Sequence, residues 1–531
     1  MWFLVLSLCG LGAAFLANFQ NSLLGASTQC SALLAYVLGT PLFGLVVLCL
    51  IPSTITKLIR VWALTVTIIT LLLCIVLWAN YTPCATEPFG SVVGLSAGWQ
   101  GLVLVRLEFG IDSLSLWMVL LTLALMPLAV LCSWTTITSN VSAFMGLLLV
   151  LESFLFGAFT LLDLLCFYVL YECSLLPMFL LIGLGGSRPR KVRAAYLLVL
   201  YTLVGSLAML PCMLLMWSQA GSTSFMLLVH ETWEPSRQLV LWWGLFLAFA
   251  VKVPMIPVHL WLPEAHVELS TAGSVLLAGV LLKLGTYGLL RFNLSLFAYA
   301  NAYYGPLIMC LSLIGLIYLS LSTLRQVDLK KLVLYSSIAH MSMVTLALFT
   351  MSDLGLILAT FLMLAHGILS PALFLCVGAL YDRTHTKALK YLGGLLTAMP
   401  LFSMMLFIFS LCNMAMPLTP NFLAEFLCLC SIFAHNTILL AGALILVILA
   451  LAYSMWAYAR VVHGMPKPYA FNALTDLNRR EFWTFVPLLL MTLWLGLKPN
   501  AVLDSLSSTL IYWHQASLAI KDPASWALAL L

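Results

Sequence analysis

Ionisable side chains recur within long apolar stretches of this sequence, at positions where a charge would lie near the centre of a membrane-spanning helix. They occur one or two to a stretch, on successive stretches. The set comprises Glu152, Asp163, Glu172, Lys252, His259, Lys283, His340, His366 and Glu425. Each such charge costs roughly 2.5–3.5 kcal/mol, and the unpaired set would cost on the order of 20 kcal/mol, more than the stability of ordinary folds. We therefore expect a connected polar interior.

The mixture of acids, lysines and histidines predicts proton transfer rather than metal binding. A metal site would gather its ligands at one point, and the sequence contains no pair of histidines four residues apart. Burial lowers the pKa of a lysine and raises that of a carboxylic acid, while pairing the two restores their charged forms. A charge that moves along such a row therefore changes the proton affinity of its neighbour.

The stretch AFAVKVPMIPVHLWLPEAH (248–266) places a lysine beside two prolines. Pro254 and Pro257 remove backbone donors and are expected to break the helix. We expect the break to supply carbonyls for the Lys252 ammonium and a water-accessible pocket, because non-helical backbone at membrane depth survives only inside protein or along a wet cavity. An ion pair between Glu172 and Lys252 that only locks two helices together is the structural alternative.

Several candidates also have ordinary structural explanations. His340 and His366 could each be hydrogen-bonded across a helix interface. Glu152 and Asp163 could lie near helix ends, where a solvated acid is common. His259 follows the first break and could cap a helix or pair within a loop.

The composition is that of an integral membrane protein. Of 531 residues, 63% are hydrophobic and 8% charged, whereas soluble domains carry about 25% charged residues. Apolar stretches of roughly 17–25 residues recur along the chain, and the alternating pattern of a membrane barrel is missing. We predict an all-α polytopic membrane protein with about 14 transmembrane helices. Most of the 23 lysine and arginine residues fall in loops after odd-numbered spans, which supports this count.

Two of the helices are expected to be discontinuous. The second break falls in CNMAMPLTPNFLAEF (412–426), where Pro417 and Pro420 precede Glu425. Two broken helices five spans apart fit two inverted five-helix repeats with sites at the breaks. The predicted division is an N-terminal extension with a possible extra helix (1–31), helices 1–3 (32–140), a first repeat of helices 4–8 (141–291), a second repeat of helices 9–13 (303–460), and a last helix with a C-terminal tail (461–531).

The sequence predicts no cofactor, metal or nucleic-acid partner for this chain. Most of its 14 cysteines lie singly within apolar stretches, where a thiol behaves as a small hydrophobe. There is no nucleotide-binding fingerprint, no cluster of iron–sulfur cysteines and no disulfide framework. The N-terminus has neither the basic region of a signal peptide nor the character of a transit peptide, which favours synthesis within a bacterium or an organelle.

Several stretches resemble the antiporter-like membrane subunits of respiratory NADH:ubiquinone oxidoreductase (complex I), the mitochondrial members more than the bacterial or plastid ones. The likeness covers roughly residues 40–500 in order and with similar spacing, and its most specific part is 251–292. The stretches are FGIDSLSL (109–116), 163–183, 186–206, 251–292, 324–341, 366–383 and the interrupted segment that ends at Glu425.

The resemblance implies fourteen helices with inverted repeats and two broken helices, and it implies roles for individual residues. Protons would be carried across the membrane by Glu172 on the fifth helix, Lys252 on the broken seventh, Lys283 on the eighth, His340 and His366 between, and Glu425 on the broken twelfth. The expected supporting residues are Glu152, Asp163, His259, Pro254 and Pro417.

The resemblance also implies the surroundings of the chain. NADH, FMN, iron–sulfur clusters and ubiquinone are expected in partner subunits, where quinone reduction would drive the proton movement. Neighbouring antiporter-like subunits and membrane lipids are the expected partners, in the mitochondrial inner membrane. A sodium/proton antiporter subunit and a structural spacer without its own proton path are the alternatives.

Overall fold

The computed structural model describes residues 29–81, 89, 91–95, 107–186, 189–465 and 474–519. The possible extra helix at 1–17 lies outside them. The elements before the first interrupted helix are α1 Gln29–Leu50, α2 Thr56–Asn80, β1 Ser91–Leu95, β2 Leu107–Ile111, α3 Ser113–Thr136, α4 Val141–Thr160, α5 Leu164–Cys173, α6 Leu175–Gly185, α7 Lys191–Leu207, α8 Met209–Ala220 and α9 Phe225–His230.

The remaining elements begin with the first interrupted helix, α10 Pro235–Lys252 and α11 Trp261–Glu268. A helix with two π-helical segments follows: α12 Thr271–Leu276, π1 Leu277–Leu281, α13 Leu282–Gly288 and π2 Leu289–Leu294. The rest are α14 Ala298–Leu324, α15 Leu329–Leu348, α16 Asp353–Thr384, a 3-10 turn Leu389–Tyr391, α17 Leu395–Ala398, α18 Pro400–Asn413, α19 Pro420–His435, α20 Thr437–Val462, α21 Arg479–Leu497 and α22 Asn500–Ala519.

The predicted all-α polytopic fold is confirmed. Among the described residues, 11 helices are long and apolar enough to cross a membrane, when segments that continue one another are counted as one span. Helices α21 and α22, with a bend of 71° between them, would together form a twelfth. The antiparallel hairpin β1–β2, which pairs Ser91 with Ile111, is an addition that the sequence analysis did not predict. The interrupted helices would raise the number of spans toward the predicted count. That count and the inverted repeats stay predictions.

Both predicted helix breaks are present. Residues 253–260 separate α10 from α11, and residues 414–419 separate α18 from α19. A third interruption, at Ser174 between α5 and α6, was not predicted. Pro177 explains it, because a proline removes the backbone donor that would bind the carbonyl four residues earlier and clashes with that turn.

Two helices form the centre of the bundle. In each of the spans Thr271–Leu294 and Asp353–Thr384, every residue of the 18-residue apolar stretch is buried, whereas only 28% of that stretch is buried in the peripheral span Thr437–Val462. Side chains within these two stretches are therefore shielded from lipid on all sides. These helices carry Lys283 and His366.

Three loops meet at one end of the bundle, which we call the basic end. The backbone N–H of Leu389 donates to the Val327 carbonyl at 2.9 Å, and that of Gly394 donates to the His463 carbonyl at 3.1 Å. Arg325 and Arg460 line a cleft at this junction. The helices α14, α16 and α20 therefore end on the same side, as the placement of basic loops in the sequence predicted.

Candidate proton-transfer site

Lys283 and His366 form a direct contact at the centre of the molecule. The Lys283 ammonium lies 2.8 Å from Nδ1 of His366 and donates to the Ala278 carbonyl at 2.5 Å. Lys283 is fully buried and His366 is 1% exposed. The flanking π1 and π2 segments widen the helix around this lysine, a distortion that is frequent at functional sites.

The contact continues through a second histidine to an acid. The rings of His366 and His340 lie 5.9 Å apart, between centroids. Nδ1 of His340 lies 2.9 Å from a carboxylate oxygen of Glu425. Lys283, His366, His340 and Glu425 thus form one row, called the central row below, that crosses four helices without contacting lipid.

Lys252 and Glu172 are neighbours in the first half, but they do not form the direct ion pair considered above. The Lys252 ammonium donates to the Tyr171 carbonyl at 2.8 Å and lies 3.1 Å from the centroid of the Tyr171 ring. One carboxylate oxygen of Glu172 is buried and has no hydrogen-bond partner among the residues that the structure describes, and Ser206 lies beside this acid. The two charges therefore interact through space, and neither is locked by the other.

The expectation that Lys252 uses carbonyls freed by the prolines is wrong. The Val251 carbonyl at the break accepts a hydrogen bond from the Trp261 indole at 3.0 Å. The carbonyl that binds Lys252 belongs to Tyr171, at the unpredicted kink before Ser174. The hydroxyl of Ser174 also donates to this carbonyl, at 2.7 Å.

The predicted supporting acids lie apart from the central row. Glu152 is 1% exposed in the interior of α4, not near a helix end, and one of its oxygens lies 2.7 Å from the Thr70 hydroxyl. Asp163 caps the start of α5, where it accepts from the backbone N–H of Leu165 at 3.4 Å. The structure therefore places Asp163 in a capping position.

The remaining supporting residues lie in the breaks. Pro254 and His259 belong to the first break, and Pro417 belongs to the second. His259 is 6% exposed, and within the described part of the chain its Nδ1 has no hydrogen-bond partner.

Sequence reasoning missed a buried ion pair between Asp112 and Arg291. The two side chains meet at 2.8 Å and are almost fully buried. The rings of Phe89, Phe225, Tyr287 and Trp513 surround the guanidinium at 5.1–5.7 Å. Both charges stand at the ends of apolar stretches, where the sequence gives no reason to expect burial.

Two lysines from the second half bind the end of α11 in the first half. The ammonium of Lys330 donates to the Leu269 carbonyl at 2.7 Å, and that of Lys387 donates to the Val267 carbonyl at 2.7 Å. Their proximity to a helix C-terminus satisfies carbonyls that have no partner within the helix.

Residues 162–450 match the family described as NADH:quinone oxidoreductase/Mrp antiporter, transmembrane. The chain belongs to this family. The matched region includes the central row as well as Glu172 and Lys252.

The chain is similar to NADH-ubiquinone oxidoreductase chain 4 of Arabidopsis thaliana. The two sequences are 44% identical over 481 residues, and the alignment covers 91% of this chain and 97% of the relative. A chain of respiratory complex I from Thermus thermophilus is 27% identical, with a TM-score of 0.82 over 91% of this chain and 99% of that one. A chain of the Mrp complex from Dietzia sp. is 19% identical with a TM-score of 0.80, covering 92% and 100%, and shares the fold.

Proposed function

We propose that this chain is the subunit-4 component of respiratory complex I. It is a multi-pass protein of the mitochondrial inner membrane and translocates protons as part of that enzyme complex. The curated relatives that bear this name match the chain over about nine tenths of its length. The electrons are handled by NADH, FMN, iron–sulfur clusters and ubiquinone in partner subunits, and this chain contributes proton movement.

The central row is the observation that carries the proposed mechanism. Its two close contacts, of 2.8 and 2.9 Å, are within hydrogen-bond distance, and the contact between His340 and Glu425 needs only a turn of either side chain to align as a hydrogen bond. The 5.9 Å between the two imidazole centroids leaves the rings close enough for direct contact or for one bridging water. Lys283, His366, His340 and Glu425 can therefore hand protons along the row.

Lys252 and Glu172 supply the first half of the same path. Because their charges interact without a direct ion pair, protonation of one changes the proton affinity of the other. The helices that carry Lys252 and Lys283 pack closely, since a Cβ added to Gly285 would lie 3.1 Å from Cβ of Lys252. The segment that carries Lys283 is therefore packed against the end of the helix that carries Lys252.

Substitution of Glu425 tests this function. The Glu425→Gln change keeps the size of the side chain and removes its proton. In complex I prepared from variant membranes and reconstituted into vesicles, we expect NADH-driven proton pumping to fall at least about 100-fold. The matched control is Glu264→Gln, because Glu264 is exposed on α11 and lies outside the central row.

Each alternative gives a different result in the same vesicles. A structural spacer would keep normal pumping in the Glu425→Gln variant once the complex has assembled. A sodium/proton antiporter subunit would instead show sodium-dependent exchange that does not require NADH.

A further inference from the structure

The cleft at the basic end, between the ends of α14 and α20, is lined by an excess of positive charge, and we call it the basic cleft. Its volume is about 760 Å³, within the range of roughly 300–1,000 Å³ that is usual for ligand sites. Four side chains that can carry a positive charge line it, namely Arg325, Lys390, Arg460 and His463. Within the described part of the chain, its lining includes no aspartate or glutamate.

The two arginines of the basic cleft are not neutralised by this chain. Neither Arg325 nor Arg460 forms an ion pair with a carboxylate among the residues that the structure describes. The nearest acid in sequence to Arg325 is Asp328, which is not part of the lining. Like charges that converge on one cleft repel one another, and a bound anion would remove this cost.

A second cavity at the basic end has a different charge balance. Its lining contains three acids, Glu268, Asp382 and Glu481, in addition to lysines and arginines. Arg383 lies 2.6 Å from a carboxylate oxygen of Glu481, and Arg480 lies 3.9 Å from the other oxygen of the same carboxylate. Converging cations are therefore neutralised within the protein in that cavity, whereas the basic cleft is suited to an anion from outside the chain.

The two arginines approach the basic cleft from different helices. Arg325 directly follows α14, and Arg460 lies in the last turn of α20. The Arg460 guanidinium lies 4.7 Å from the centroid of a Trp456 ring, in a cation–π contact. A guanidinium presents paired donors that match the oxygens of a phosphate, and tryptophan is enriched at the depth of lipid headgroups. Each arginine can therefore bind a separate phosphate at this depth.

Exposed apolar faces continue from the basic cleft along both helices. Leu321 and Tyr318 precede Arg325 by four and seven residues, so they share its face of α14, and they are 50% and 59% exposed. Ile448 precedes Trp456 by eight residues on α20 and is 69% exposed. Acyl chains can lie on these faces while their headgroup occupies the cleft. Free phosphate would make no contact with them.

The position of the basic cleft fits a lipid of the leaflet on the matrix side. Basic loops lie on the cytoplasmic side of a membrane, which corresponds to the matrix side in mitochondria. Basic pockets between membrane helices on that side bind lipid headgroups that carry phosphates. We propose that the basic cleft binds an anionic phospholipid with two phosphate groups, one at Arg325 and one at Arg460, with its acyl chains along α14 and α20. The site is separate from the central row and goes beyond the proposed function.

Photolabelling of the intact complex tests the proposal. Purified complex I is reconstituted into phosphatidylcholine vesicles that contain a small fraction of photoreactive cardiolipin, phosphatidylglycerol or phosphatidylcholine, each with the same diazirine on an acyl chain. Cardiolipin has two phosphates, phosphatidylglycerol has one negative charge, and phosphatidylcholine has no net charge. Mass spectrometry then measures the label on peptides from residues 314–327 and 448–465. We expect cardiolipin to label them about fivefold more than phosphatidylglycerol, and phosphatidylcholine to label them least.

Substitutions of the arginines test which side chains bind the headgroup. We expect cardiolipin labelling to fall about fivefold in Arg325→Gln and in Arg460→Gln, because each change removes one charge from the cleft. Arg460→Lys keeps the charge and should retain most of the labelling. The matched control is Arg193→Gln, since Arg193 is an exposed arginine near the start of α7 and does not line the cleft. The comparison of the three lipids uses the unchanged complex, so it decides the question if a variant fails to assemble.

Four results would overturn the proposal. Equal labelling by the three lipids would show ordinary contact with the bilayer. Cross-links from these peptides to another subunit, with no lipid label, would show that a protein covers the cleft. Excess inorganic phosphate should leave cardiolipin labelling nearly unchanged, and complete displacement would indicate a site for free phosphate. An equal loss of labelling in Arg193→Gln and Arg460→Gln would show that only the overall surface charge matters.

Discussion

The buried charged side chains of this molecule differ in whether they can gain or lose a proton. The members of the central row contact one another through groups that can gain or lose a proton. The Arg291 guanidinium, in contrast, stays charged at any ordinary pH and is held by Asp112 and a set of aromatic rings. Its position fixes the hairpin region to the bundle, and we expect it to have no part in proton transfer.

Breaking that pair should therefore destabilise the protein without a specific effect on pumping. In Asp112→Asn the guanidinium stays buried without its counter-charge, which costs about 3–5 kcal/mol. We expect less assembled complex at raised temperature, measured on native gels after heating the membranes, with normal pumping per assembled complex. The double change Asp112→Leu with Arg291→Met removes both charges and should recover most of the loss. A specific loss of pumping in Asp112→Asn would contradict a purely structural role.

The chemistry of single residues was predictable from sequence where a charge interrupts a long apolar run. Lys283, His340 and His366 stand out for that reason. Their contacts were not predictable, because helical spacing within one span says nothing about which face of another span it meets. The burial of Asp112 and Arg291 was not predicted, because both residues lie at the ends of apolar runs, where charges are normally solvated.

At the scale of elements, close packing of helices sets the distances between the charges. A Cβ added to Gly285 on α13 would lie 2.7 Å from the Val253 side chain and 3.0 Å from the Val253 backbone nitrogen at the first break. A backbone atom cannot move aside as a flexible side chain can. The glycine thus allows the helix that carries Lys283 to touch the break that follows Lys252.

The Gly285→Ala change should consequently force these helices apart. Overpacking of this kind typically costs about 1–3 kcal/mol. We expect reduced thermal stability of the assembled complex and slower pumping, because the helix that carries Lys283 shifts relative to the break that follows Lys252. Gly305→Ala is the control, since Gly305 lies in α14 with no atom within 4 Å of an added Cβ, and alanine favours a helix. Equal effects of the two changes would show that the contact at Gly285 is unimportant.

The positions of the helix breaks were the most predictable feature at this scale. Proline acts on the backbone locally, so Pro254 and Pro417 marked both interruptions without knowledge of the fold. The kink at Ser174 follows the same rule through Pro177 and was overlooked. The π-helical segments around Lys283 have no comparable local signal, because packing in the fully buried centre determines them.

At the scale of the whole molecule, the C-terminal helix α22 closes one side of the bundle. The Trp117 indole on α3 donates to the Ser505 hydroxyl at 2.8 Å, and Nδ1 of His514 lies 2.5 Å from a carboxylate oxygen of Asp353 at the start of α16. Residues 461–531 were predicted as a last helix and a tail. The first part of that tail, up to residue 519, is a helix, which the sequence did not reveal because its apolar and polar residues alternate too evenly for a membrane span.

Trp513 makes many of the contacts that attach α22 to the bundle, because it packs beside the buried ion pair of Asp112 and Arg291 near the hairpin. It is 8% exposed, and its ring lies 4.9 Å from that of Phe225 and 5.5 Å from that of Phe89, between centroids. Truncation of a buried tryptophan to alanine costs about 3–5 kcal/mol. We expect Trp513→Ala to lower the temperature at which assembled complex is lost from native gels. The neighbouring Tyr512→Ala, at a partly exposed position, should have a smaller effect. If both changes lower that temperature equally, the aromatic cluster around Trp513 is not what attaches α22 to the bundle. The ion pair of Asp112 and Arg291 would then be stable without the Trp513 ring.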